Sequence, residues 1–157
     1  MTTQTNSERL DALGVQLPSA PKPVASYLPV RIAGNVAYVS GQLPTIEGKL
    51  VETGTVPAQV SAETATNLAR QCAINALAAI QQQLGSIDRV TGVIRVGVFV
   101  ASSPDFGGQP AIANGASDLL AAVFGDAGRH ARAAVGVASL PLNAPVEIEF
   151  MFEIESN

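Results

Sequence analysis

Tryptophan is absent from this chain, and its 157 residues include only two Tyr and five Phe. A core must therefore pack through Val, Ile, Leu and Ala. Cysteine and histidine occur once each, as Cys72 and His130. One thiol excludes an internal disulfide framework and any Cys-x-x-Cys metal site. A zinc centre would have to rest on carboxylates, so no metal is expected. No apolar run approaches the roughly 18 residues that a membrane span requires. The N-terminal MTTQTNSERLDALG lacks a basic end followed by an apolar stretch, so it does not read as a secretory signal, and a cytoplasmic location is expected. Charge is scarce at 14 %, and the 9 Lys and Arg are scattered and outnumbered by 13 acidic residues, for a net −4. Nucleic-acid-binding surfaces are basic and often interleaved with aromatics, so RNA or DNA is not the expected partner.

Apolar residues make up 47 % of the chain, enough to bury a core at the length of one ordinary domain. So much Ala, Val and Gly with so little charge implies that part of the surface is covered, most simply by further copies of the chain. No repeat or low-complexity linker divides the sequence, which reads as one domain over 1–157. Its first 23 residues hold a short helix, Ser7 followed by ERLDAL and stopped by Gly14, and a proline-rich connector, LPSAPKP. Two β-rich runs, 27–32 and 36–40, flank a hairpin turn at Ala33-Gly34-Asn35, and a second turn is expected around Glu47-Gly48-Lys49.

From Val60 to Leu84 the spacing predicts a long helix, capped by Ser61 with Thr64 and closed by Gly85. Leu68, Cys72, Ala76, Ala79, Ile80 and Leu84 form its apolar stripe, which makes Cys72 a small buried hydrophobe. Val90–Val100 reads as a strand, followed by the loop SSPDFGGQP. A second helix starts near Pro110, turns Ile112, Ala116, Leu119, Leu120 and Val123 inward, and ends at Gly125. Strands over 131–138 and 146–154 close the chain, joined by LPLNAP. The order β-β-α-β-α-β-β predicts an α+β fold with two helices on one face of a single sheet.

The last strand alternates: Val146, Ile148, Phe150, Phe152 and Ile154 belong to the helix face, and Glu147, Glu149, Met151 and Glu153 to the other. On the preceding strand, assigning Val135 and Val137 to the helix face places Arg132, Ala134 and Gly136 opposite. Arg132 would then share the uncovered face with the carboxylates. That face is either a solvated surface or a cleft against another subunit. In the second case Arg132 and Glu147 need a partner or a ligand, because a lone buried charge is costly.

AYVSGQLP, Asn114 in the helix after DF, and HARAAVGVASLPLNAPVEIEF together resemble the Rid family, also called YjgF or L-PSP, from about Tyr27 to Ile154. ANGASDLL…FG…GRHARAAVGV is similar to a longer subgroup of it. The resemblance implies a chorismate-mutase-like fold and a homotrimer with clefts between neighbouring subunits. It also implies cofactor-free hydrolysis of reactive imino or enamino acids to 2-keto acids and ammonia. On this carry-over Arg132 grips the carboxylate of a small metabolite and Glu147 positions water and handles protons. Tyr27, Ser40, Gly41, Asn114 and Ala134 would line the substrate. The sequence departs from the pattern in three places. His130 replaces a proline, Ala134 stands where a cysteine is common, and the loop around Gly107-Gly108 is longer.

Other assignments stay open. Arg132 could bridge to Glu149, Tyr27 could pack on the connector, and His130 is read as a rim or capping residue ahead of an acid–base group. Ser40 has no basic neighbour and reads as a hydrogen-bond donor. DFGGQP fits neither nucleotide-binding glycine pattern. A non-catalytic trimer binding small carboxylates is one alternative function. RNA cleavage, attached to the family through its L-PSP name, is another, and the acidic charge opposes it.

Overall fold

The chain runs through α1 (Asn6–Ala12), β1 (Val30–Ala33), β2 (Val36–Gln42), a small ribbon of β3 (Thr45–Ile46) and β4 (Lys49–Leu50), and α2 (Ala62–Leu84). It continues with β5 (Val90–Ala101), α3 (Gln109–Phe124), β6 (Ala131–Val137) and β7 (Val146–Ile154). The computed structural model describes residues 4–20 and 26–156, so the expected connector at 17–23 lies partly outside the described residues. The five strands of the main sheet are ordered β1-β2-β7-β5-β6. Only β5 and β6 run parallel, joined by α3, and the other pairs are antiparallel. The fold is α+β, three helices with a mixed five-stranded sheet.

The helix ends follow local chemistry. Ser61 caps α2 by accepting from the Thr64 N–H, and Gly85 closes it with a left-handed φ of 83°. In α1 the expected cap is displaced by two residues. Thr5 caps it, in a reciprocal box with Glu8. Ser7 instead binds Asp88 through its N–H and its hydroxyl, at 2.8 and 3.0 Å, tying α1 to the turn after α2.

All five inward residues of β7 are at most 5 % exposed, as their alternation demands. The middle of α2 is buried all round, well beyond the expected stripe, because the sheet, α3 and the β3–β4 ribbon enclose it. Asn75 is the polar residue in that buried stretch. Its amide donates to the Leu43 and Thr45 carbonyls, both at 3.0 Å, and so fastens the ribbon to the helix. Gly115 lets α3 lie against α2, since a side chain there would collide with the Thr66 carbonyl oxygen.

One expectation fails, and it concerns the site. On β6 the valines do not face the helices: Val135 is 46 % exposed, and Ala134 packs against the core. A row of paired residues runs Val30, Val39, Phe150, Val96 and Arg132 across the sheet, so Arg132 ends a helix-side row. Here β6 is an edge strand with α3 close over it. Close approach favours small inward residues and sends the valines to the helix-free face. Size misled the assignment.

Candidate active site

Arg132 projects from β6 beneath α3. Its Nη1 donates to Asn114 Oδ1 at 2.8 Å and to Ser117 Oγ at 3.1 Å, and Nη2 donates to the Pro110 carbonyl at 3.3 Å. Positions 110, 114 and 117 are spaced by four and three, so they form one helical stripe, and a helix presents such a stripe to a neighbouring strand. His130 joins from the start of the strand. Its Nε2 lies 2.9 Å from Ser117 Oγ and its Nδ1 2.6 Å from the Gly128 carbonyl. Arg132 and Asn114 are therefore brought together as expected. The alternative bridge from Arg132 to Glu149 does not form: Glu149 lies on the opposite face of the sheet, where it pairs with Arg95 at 2.7 Å. Ala134 lies on the same side of β6 as Arg132. Ser117 was missed, although a polar stripe on an otherwise apolar helix was its signal.

Glu147 lies on the helix-free face, paired across the ladder with Phe99. Arg132 and Glu147 thus do not share a face. Glu147 is half-buried, and among the described residues no cation lies within ion-pair distance of it. Burial, with a smaller push from the Glu149 charge, raises its carboxyl pKa above the ordinary value. Its neighbour is a β-bulge. Between Val39 and Gln42, β2 uses one more residue than β7 opposite, so Ser40 and Gly41 together face one position. Glycine at 41 leaves room for the Glu147 carboxylate, which occupies the space a Cβ would take. Ser40 acts as a donor, its hydroxyl bonding the Leu28 carbonyl at 2.7 Å. Tyr27, next to Leu28, is 55 % exposed.

These residues therefore form two groups on opposite sides of the sheet. One is a fixed cation with Asn114, Ser117, His130 and Ala134. The other is a protonatable carboxylate with Ser40 and Gly41, and Tyr27 lies exposed in the segment before β1. Among the described residues no group of three or more His, Cys, Asp or Glu side chains could hold a metal ion, and no helix is long and apolar enough to cross a membrane.

The chain matches one class of proteins in sequence as well as shape. Residues 7–154 match the YjgF/chorismate-mutase-like family, whose label also carries an endoribonuclease assignment, and the chain belongs to that family. It is 43 % identical over 148 residues to Protein TCP17 of Trypanosoma cruzi, covering 94 % of this chain and 92 % of that one. It is 31 % identical over 141 residues to a 2-iminobutanoate/2-iminopropanoate deaminase of Dermatophagoides farinae, covering 90 % and 95 %. The crystal structure of Atu1372 from Agrobacterium tumefaciens, a protein of unknown function, superposes with a TM-score of 0.89 at 48 % identity, over 96 % of this chain and 92 % of that one.

Proposed function

We propose that the protein hydrolyses reactive 2-imino or enamino acids to 2-keto acids and ammonia, in clefts between the subunits of a homotrimer. One observation carries this reading: Arg132 and Glu147 stand on opposite faces of one sheet. A site using both on one small molecule has to be assembled from two copies. The Arg132 edge of one chain would meet the Gly41–Glu147 face of the next. Exposed Val135, Ile94 and Tyr38 supply apolar surface for such packing.

In that cleft Arg132 holds the substrate carboxylate through two parallel donors, a geometry lysine lacks. Glu147 from the neighbouring copy takes a proton from water as the oxygen attacks the carbon of the protonated imine, and the iminium nitrogen becomes an amine. Returning that proton to the nitrogen breaks the C–N bond and releases ammonia, while the hydroxyl proton passes to the freed Glu147 carboxylate and leaves the keto acid. A carboxyl with a raised pKa suits both transfers. The deaminase from Dermatophagoides farinae lends support from sequence. A second reading, a non-catalytic binder of small carboxylates, is favoured by Ala134, which brings no polar group to the Arg132 side.

Mixing two variants tests the proposal. Arg132→Ala and Glu147→Gln should each be inactive in ammonia release from enzymatically generated imino acids. Co-assembly should restore part of the rate, because some interfaces then pair an intact Arg132 with an intact Glu147. Light scattering should give a mass near three chains. A strict monomer, or no recovery on mixing two folded variants, overturns the intersubunit site. Wild-type protein no faster than uncatalysed hydrolysis leaves the binder.

A further inference from the structure

Ser117 and His130 lie outside the proposed reaction, yet their hydrogen bonds lead to its cation. We infer that they form a relay that orients the Arg132 guanidinium, with Ser117 and His130 as positioning residues and a side-on carboxylate as the ligand that orientation selects. The inference rests on Arg132 being the carboxylate anchor.

The polarity of the chain is fixed from its far end. The Gly128 carbonyl can only accept, so His130 Nδ1, 2.6 Å away, carries the proton. In the neutral ring Nε2 is then an acceptor, and the Ser117 hydroxyl, 2.9 Å away, donates to it. That turns a Ser117 oxygen lone pair to the Arg132 Nη1, which donates across 3.1 Å. Without an acceptor at His130, the hydroxyl hydrogen could swing towards a guanidinium that has only donors to offer. The relay keeps it away.

Donor counting gives the consequence. A guanidinium has five N–H donors. Among the described residues Asn114 and Ser117 engage Nη1, and the Pro110 carbonyl engages one Nη2 donor. Nε–H and the other Nη2–H remain. These sit on two nitrogens of one planar group and can meet both oxygens of one carboxylate. A guanidinium freed from Ser117 would turn about its side-chain bonds and present its donors in varied directions. The departure at position 130, where the family resemblance expects proline, thus acquires a role.

Side-chain NMR of the ligand-free protein tests the relay directly. Wild-type Arg132 should give separate Hη signals, because three acceptors hinder rotation. Ser117→Ala and His130→Leu should merge them, and His130→Gln, whose amide oxygen can accept from Ser117, should restore them. Calorimetry with 2-oxobutanoate as probe should give affinities weaker by about tenfold for Ser117→Ala, in line with a charge-assisted hydrogen bond. His130→Leu should add nothing in the Ser117→Ala background, because its effect passes through that hydroxyl. Additive losses, averaged Hη signals in the wild type, or unchanged signals in Ser117→Ala overturn the relay. Unchanged 2-oxobutanoate affinity in Arg132→Ala would instead remove Arg132 as the anchor, and the NMR result would still decide the relay.

Discussion

The cation and the carboxylate of this site are built by opposite means. Arg132 is exposed, yet three oxygens from one helix hold its guanidinium. Glu147 is half-buried, its pKa is raised, and it has no cation within reach among the described residues. Glu149, two residues away on the same face, shows the ordinary solution, an ion pair with Arg95 at 2.7 Å. A binding group gains from fixed geometry, because order imposed before the ligand arrives is not charged to binding. A proton-transfer group gains from a carboxyl whose two protonation states are both accessible, and a tight ion pair would remove that.

Breaking the carboxylate side should have the largest effect. Glu147→Gln keeps the shape but cannot take a proton. General acid–base catalysis contributes on the order of 10²–10⁴-fold, so ammonia release should fall by about that factor while 2-oxobutanoate binding survives. Glu149→Gln, the matched control, should lose far less. Equal losses in the two variants would assign the effect to the charge of the face, with no special part for Glu147.

The cation side should respond through affinity. Arg132→Lys keeps the charge and loses the planar fork. Hydrogen bonds to charged groups are worth roughly 1.5–3 kcal/mol, so carboxylate binding should weaken by about 10- to 100-fold. Equal calorimetric affinities for the two proteins would mean that charge alone holds the ligand.

Gly41→Ala probes the contact between the bulge and Glu147. The new methyl would meet the far end of a flexible side chain, so the carboxylate swings aside and the fold barely feels it. Displacements of about 1 Å near reacting atoms can cost about 10²-fold, and a shift of this kind should slow hydrolysis about tenfold with the melting temperature nearly unchanged. A large fall in melting temperature would show that the bulge is needed for folding first.

The faces of this sheet were legible where one strand decided them alone. Val146 to Ile154 alternate without exception, and the structure buries the inward five. Central strands are covered across their whole face, so side-chain size and orientation agree. The edge strand was not legible, because Ala134 and Gly136 face inward only on account of how closely α3 rides over β6, which no property of β6 records. That one inversion moved Arg132 to the wrong side. The resemblance still singled out Arg132 and Glu147, since motifs mark positions without needing to know faces. Asn75 and Ser117 escaped for a related reason: each is a polar residue on a helix, explained only by what lies across from it.

The smallest expected effect separates the two sides through stability. Burial, and then the Glu149 charge, raise the folded-state pKa of Glu147 above its unfolded value of about 4.3. Over that interval the folded chain binds more protons than the unfolded one, so stability falls as pH rises. The favourable contribution is complete below the unfolded value and is lost as pH climbs through the folded one. Glu147→Gln, uncharged throughout, escapes this loss. It should melt higher than wild type at neutral pH, and the gap should close as pH drops below about 4. Glu149→Gln should flatten the dependence only in part, because burial is the larger cause and remains. Arg132→Gln should show no such pH-linked gap, since guanidinium stays charged across the range. Melting temperatures of the four proteins from pH 4 to 8 decide the matter. A Glu147→Gln protein no more stable than wild type at neutral pH would mean that the carboxylate finds a compensating partner once the subunits assemble.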